Sequence, residues 1–225
     1  MLYEFCAENF ERVPAAIMGG AGRIELCDNL AVGGTTPSIG TIQMVTDYCH
    51  DHQTLVFCMV RPRGGDFCYT DAELDVMDLD LCAACGLGVD GVVFGCVANS
   101  RGSNVIDERA LSRLMEAVSD ARAARDGETL GITFHMAFDT LGPEAQLDAI
   151  DMLADCGVTR VLTHGGASGT PIEENLGHLS KLIEYAGDRL TILPGGGITT
   201  ANRDAVAAAL GVEELHGTGI VSLEG

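Results

Sequence analysis

Eight short apolar runs recur along the chain, and their rhythm restricts the fold more than any other feature. They are LYEFC (2–6), RIELC (23–27), TLVFCMV (54–60), GVVFG (91–95), GITFH (131–135), RVLTH (160–164), LTILP (190–194) and EELHG (213–217). Between them lie segments with helical periodicity and cap-like starts, such as DAELDVMDLDLCAACGLG, DERALSRLMEAVSDARAA and GPEAQLDAIDMLADCG. Strands that alternate with helices pair in parallel through right-handed crossovers. Eight such units in 225 residues predict an α/β fold of the TIM (β/α)8 barrel type, a single domain over residues 1–225. The competing architecture is an open doubly wound sheet, and no G-x-G-x-x-G follows the first run to support its dinucleotide-binding form. The chain stops at Gly225, just after the eighth run. The expected barrel therefore lacks its last helix, leaves an apolar flank beside its first and eighth strands, and forms a homo-oligomer through it.

Charge narrows the partners. Thirteen Lys and Arg stand against 33 Asp and Glu, a net charge of -20, so nucleic acid and anionic membrane surfaces meet a repelling face. No apolar run approaches the ~20 residues of a membrane span, and the start of the chain does not have the layout of a secretory signal. The expected location is cytoplasmic. Nine cysteines, without the regular spacing of a disulfide framework, read as reduced thiols. The one C-x-x-C, Cys82 to Cys85, lies in a helical run without a second Cys or His pair at zinc spacing, and reads as core packing.

In a barrel, chemistry belongs where strands end and βα loops begin. Those positions carry Glu4 and Cys6, Glu25 and Cys27, Arg61 and Arg63 in RPRGGDF, His135 and Asp139 in FHMAFD, His164, then PGGGI and HGTGI. Alternation along a strand puts Glu4 on the face of Cys6 and Glu25 on the face of Cys27. His50 and His52, in CHDHQ, read as solvated imidazoles at a helix end.

The ordered set RIELCDNLAVGGTTPSIG, RPRGGDF, DGVVFG, FHMAFD, RVLTHGG and PGGGIT resembles the CutC family of copper homeostasis proteins over nearly the whole chain. The resemblance implies a cytoplasmic TIM barrel linked to copper handling, with Cys6 and Cys27 at positions proposed as Cu(I) ligands in a relative. Two residues depart from the family's pattern: Met136 stands where an arginine is usual, and His164 where a serine is common.

Two functional readings remain open beside a purely structural one. Cu(I) is soft and accepts two or three thiolate ligands, so Cys6 and Cys27 form a sufficient metal set. Alternatively, Glu4, Glu25, Arg61, His135 and Asp139 form the catalytic set of an enzyme acting by acid/base chemistry on a small anionic substrate, with phosphorylated compounds among the candidates. Its anion would be held by Arg63, Gly195, Gly196, Gly197, His216 and Gly217. On either reading, Arg61 and Arg63 are the expected cationic partners of the two buried glutamates.

Overall fold

The structure, a computed structural model, describes residues 1–125, 129–167 and 169–224. In chain order the strands are β1 (Leu2–Glu8), β2 (Arg23–Cys27), β3 (Leu55–Met59), β4 (Gly91–Phe94), β5 (Val97–Ser100), β6 (Ser103–Ile106), β7 (Gly131–Phe134), β8 (Arg160–Thr163), β9 (Thr191–Pro194) and β10 (Glu214–Gly217). The helices are α1 (Val13–Met18), α2 (Ile39–Asp51), α3 (Asp71–Gly86), α4 (Glu108–Ala124), α5 (Pro143–Asp155), α6 (Leu176–Ala186) and α7 (Arg203–Leu210).

Eight strands form one parallel sheet in the order β10-β1-β2-β3-β4-β7-β8-β9. The order follows the chain with no reversal, which distinguishes a barrel from a doubly wound sheet. β9 and β10 flank the seam, and just beyond their ends Thr199 and Gly219 form a parallel bridge that draws the mouth together. The result is a nearly closed (β/α)8 barrel.

Local sequence explains the helix starts. Ser38 accepts from the Thr41 N–H to open α2, Thr70 and Glu73 form a reciprocal capping box on α3, and Asp107 accepts from the Ala110 N–H to open α4. Pro143 begins α5, where its missing N–H costs no helical bond. His50 closes α2 on Asp90, at 3.0 Å, while His52 stacks on Tyr48.

The strands divide the core in two. One face of each packs against the helices, Phe5, Ile24, Leu26, Val56 and Ile132 meeting Leu74, Leu81, Leu114 and Leu182 in one large cluster. The opposite face fills the barrel, where Cys6, Cys27, Phe57, Met59 and Val93 form a separate small cluster. Below it, the barrel floor is polar. Phe57 lies between the guanidinium groups of Arg23, 4.9 Å from the ring centroid, and Arg160, at 5.2 Å. Glycine makes room for this ring: a Cβ at Gly91 or Gly131 would stand 2.6 or 2.2 Å from Phe57 atoms.

Two expectations change. A hairpin, β5–β6, interrupts the fourth βα connection. No helix follows β10 among the described residues, yet the flank expected to lie open is covered. The segment after β10 buries Ile220 and Val221, Arg203 Nη1 donates to the Ile220 carbonyl, and the Ser222 carbonyl rests where a Cβ on Gly19 would be, 2.1 Å away.

Candidate functional site

The R-x-E-x-C spacing of β2 sends Arg23, Glu25 and Cys27 to the barrel interior at rising heights, and β1 sends Glu4 and Cys6 beside them. Strand register sets Glu4 against Arg23 and Cys6 against Glu25. All five side chains are buried. His216 of β10 completes the group from the other side of β1, where its partner in register is Glu4.

Glu4 is the electrostatic centre. It is ion-paired with Arg23 and accepts from His216 Nδ1 at 2.8 Å. Burial pushes its carboxyl up, but Arg23 and His216 outweigh this and hold it at about 2. Burial works against charge on His216 too, yet Glu25, Cys6 and Glu4 raise it well above the usual imidazole range. It is therefore an imidazolium, with Nε2 3.7 Å from Glu25. Burial, seconded by the charge of Glu4, raises Glu25 despite His216.

Above these charges lie the thiols. Cys6, Glu25 and Cys27 each present a donor atom, all within 4.8 Å of one another, and Glu4, Glu25 and His216 do the same one layer down. All nine cysteines are unpaired. The Cys6 thiol is raised by its hydrogen bond with Cys27 and by burial. The same bond works the other way on Cys27, which burial and Glu25 nevertheless carry to about 12. Cys27 Sγ donates to Glu25 Oε2 at 3.6 Å, so a proton acceptor stands beside the thiol.

This cluster forms one wall of a cavity of about 270 Å³ at the C-terminal mouth. Leu30, Met59, Phe67, Met136 and Leu162 give it apolar sides, and His135, Gly196, Gly197 and Gly217 complete it. A second cavity, of about 570 Å³, shares Phe67, Met136, Gly196 and Gly197 with the first and extends to Asp139 and His164.

Several residues singled out from the sequence are engaged elsewhere, and their expected pairings are corrected. Arg61 is buried and donates to the carbonyls of Val32, Gly34 and Gly65, at 2.9–3.0 Å, joining two loops rather than meeting a carboxylate. Arg63 pairs with Glu73 and with Asp66. The cation beside Glu4 is Arg23, which strand alternation already aligned with Glu25. His216 is bound to Glu4 through Nδ1 and lines the same cavity as Gly196, Gly197 and Gly217.

His135 and Asp139 do not form a pair. His135 Nδ1 accepts from the Ala137 N–H at 3.1 Å, capping the 3-10 turn Met136–Thr140. Asp139 accepts from the Thr163 hydroxyl and the His164 N–H, tying that turn to the end of β8. Burial raises its carboxyl. His164 contacts the Gly195 carbonyl and Thr170. Gly195 donates to Thr163, while the N–H groups of Gly196 and Gly197 have no protein acceptor among the described residues. Both of these glycines have positive φ, 84° and 79°. Cys82, exposed, and Cys85, buried, stand on α3 away from the mouth.

Known proteins share this architecture to different depths. A family protein CutC from Enterococcus faecalis is 54% identical over 221 residues, 98% of this chain and 100% of the relative. The human copper homeostasis protein cutC homolog is 39% identical over 96% of this chain and 72% of its own length. A solved CutC structure from Streptococcus agalactiae superposes with a TM-score of 0.86 at 41% identity, covering 98% of this chain and all of that one. A deoxyribose phosphate aldolase from Aeropyrum pernix, at 10% identity and a TM-score of 0.66 over 96% of this chain and 84% of its own, shares the fold alone. With the CutC family pattern matching residues 1–221 on a barrel of the same form, this chain belongs to the CutC family.

Proposed function

We propose that the protein serves copper homeostasis in the cytoplasm by binding Cu(I) through Cys6 and Cys27 at the barrel mouth. One observation carries the reading: two buried, reduced thiols from adjacent strands lie within 4.8 Å of each other at the edge of a cavity. Two thiolates suit a soft monovalent ion of low coordination number, whereas zinc calls for a fuller set. Met59 packs with both cysteines and adds sulfur to their surroundings. Binding requires the thiols to lose protons, and Glu25 beside Cys27 is placed to receive one. The relatives named for copper homeostasis support the assignment. The alternative of an anionic substrate has less support, because Arg61, Arg63 and His216 already have partners.

Competition with a Cu(I) chelator under reducing conditions tests the proposal. Cys6→Ser and Cys27→Ser are each expected to weaken retention by about tenfold or more, while Cys82→Ser, on the exposed face of α3, leaves it unchanged. Equal retention by all four proteins would overturn it.

A further inference from the structure

The thiols occupy one wall of the mouth cavity. Two of the residues that line it carry a buried polar atom without a partner among the described residues, Glu25 Oε1 beside the thiols and His135 Nε2. Both belong to residues that line the cavity and are at most 4% exposed. An unpaired buried polar atom is costly, and two of them in residues that line one cavity call for a partner there.

We propose that this cavity binds a small neutral hydroxy-carbonyl compound, its carbonyl oxygen accepting from His135 Nε2–H and its hydroxyl donating to Glu25 Oε1.

The hydrogen-bond pattern of His135 fixes its role. Nδ1 accepts the Ala137 N–H, so in the neutral ring the proton sits on Nε2, which can only donate. Burial and the nearby charge of Arg61 lower the imidazole to about 3, so it remains a neutral donor at any physiological pH. The ring has a constructed seat. Phe67 packs on it with centroids 4.9 Å apart, Arg61 lies 4.7 Å from the centroid of Phe67, and a Cβ at Gly95 would fall 2.4 Å from Nδ1. A pre-oriented neutral donor suits a carbonyl oxygen.

The other walls define the rest of the ligand. Leu30, Phe67, Met136 and Leu162 provide an apolar surface for a short carbon skeleton. The cations expected to hold an anion are bound to protein groups, and Glu4 and Glu25 are balanced by Arg23 and His216, so no uncompensated charge calls for an ionic guest and the guest is neutral. The free N–H groups of Gly196 and Gly197 offer further donors to its oxygens. This inference is independent of the copper reading, and its test uses reduced, copper-free protein.

Dihydroxyacetone is the probe, with glycerol, which lacks the carbonyl, and acetone, which lacks the hydroxyls, as controls. Binding is followed by saturation-transfer NMR and by the imidazole nitrogen resonances of the native protein. Dihydroxyacetone is expected to bind about tenfold more tightly than either control and to shift the His135 Nε2–H resonance. His135→Phe should remove the preference, while His135→Gln, which keeps a donor, should retain part of it. If His135→Phe fails to fold, the resonance shift in the native protein decides. No binding, equal binding of all three compounds, or binding without a shift at His135 would each overturn the proposal and assign the two free atoms to water.

Discussion

At the scale of single residues, the barrel interior holds two histidines in opposite charge states. His216 is an imidazolium between glutamates, whereas His135 is driven to about 3 by burial and by Arg61. The stability effect of His135 follows from linkage. Its folded value lies below the 6.5 of a free imidazole, so its contribution is fully present above pH 6.5 and is lost as pH falls toward 3. Within that window the loss approaches ~1.4 kcal/mol per pH unit. Urea unfolding at pH 7 and pH 5 should show the native protein losing ~2 kcal/mol more than His135→Phe; equal losses would show that the histidine is not buried uncharged. Glu4 and Arg23 provide a second test. Arg23→Met leaves the buried Glu4 carboxylate with His216 as its one cationic partner among the described residues and should destabilise by ~3 kcal/mol, with Glu4→Gln in the same protein recovering much of it. Additive losses in the double variant would show that the two charges do not compensate each other.

At the scale of elements, much of the fold is legible in the sequence because its signals are local. The eight barrel strands coincide with the apolar runs, and α4 and α5 start within a residue of the cap-like positions Asp107 and Gly142. The β5–β6 hairpin was hidden because its two-residue turn is Arg101-Gly102, with φ of 53° and 89°. An arginine at positive φ gives none of the usual Asn-Gly or Asp-Gly signal. The site was legible where it depends on alternation: Glu4 with Cys6, and Glu25 with Cys27. Arg61 and Arg63 were misplaced because sequence shows a charge but not the loop carbonyls that capture it. Arg23 was readable from its spacing to Glu25, yet a cation at the start of a strand looks like surface until the barrel closes around it. Gly91 and Gly131 carry a pairing that only three dimensions reveal. Gly131→Ala would force a Cβ into the Phe57 ring and should cost ~1–3 kcal/mol. Combined with Phe57→Leu, the two changes should be non-additive by ~1 kcal/mol or more in chemical denaturation. Simple additivity would show that the ring moves aside freely.

At the scale of the whole molecule, the barrel redistributes an already unbalanced charge. The chain has a net charge of -20, and three of its few cations, Arg23, Arg61 and Arg160, are drawn inward, to the barrel floor or between loops. Glu4, Glu25 and Glu214 accompany them, so the solvent-facing surface keeps the acidic excess of the composition. Pairs such as Arg109 with Asp71, Arg113 with Asp75 and Asp78, and Arg189 with Asp151 neutralise only part of it. Exposed pairs of this kind are worth ~0–1 kcal/mol each, and salt weakens them. Repulsion among the excess carboxylates acts over the entire surface, and it too is screened as the Debye length falls from ~30 Å at 0.01 M to ~3 Å at 1 M salt. The two effects have opposite signs, and the excess of acidic groups decides between them: relief of repulsion outweighs loss of the pairs. Thermal unfolding monitored by circular dichroism should therefore give a Tm that rises with sodium chloride from ~0.01 M to ~0.5 M, with most of the rise at the low end, where screening changes fastest. Sodium sulfate at matched ionic strength separates screening from exclusion of the salt from apolar surface, since only the latter favours sulfate. A Tm that falls as chloride is added would mean that the surface ion pairs, rather than the net charge, govern the electrostatics of this barrel.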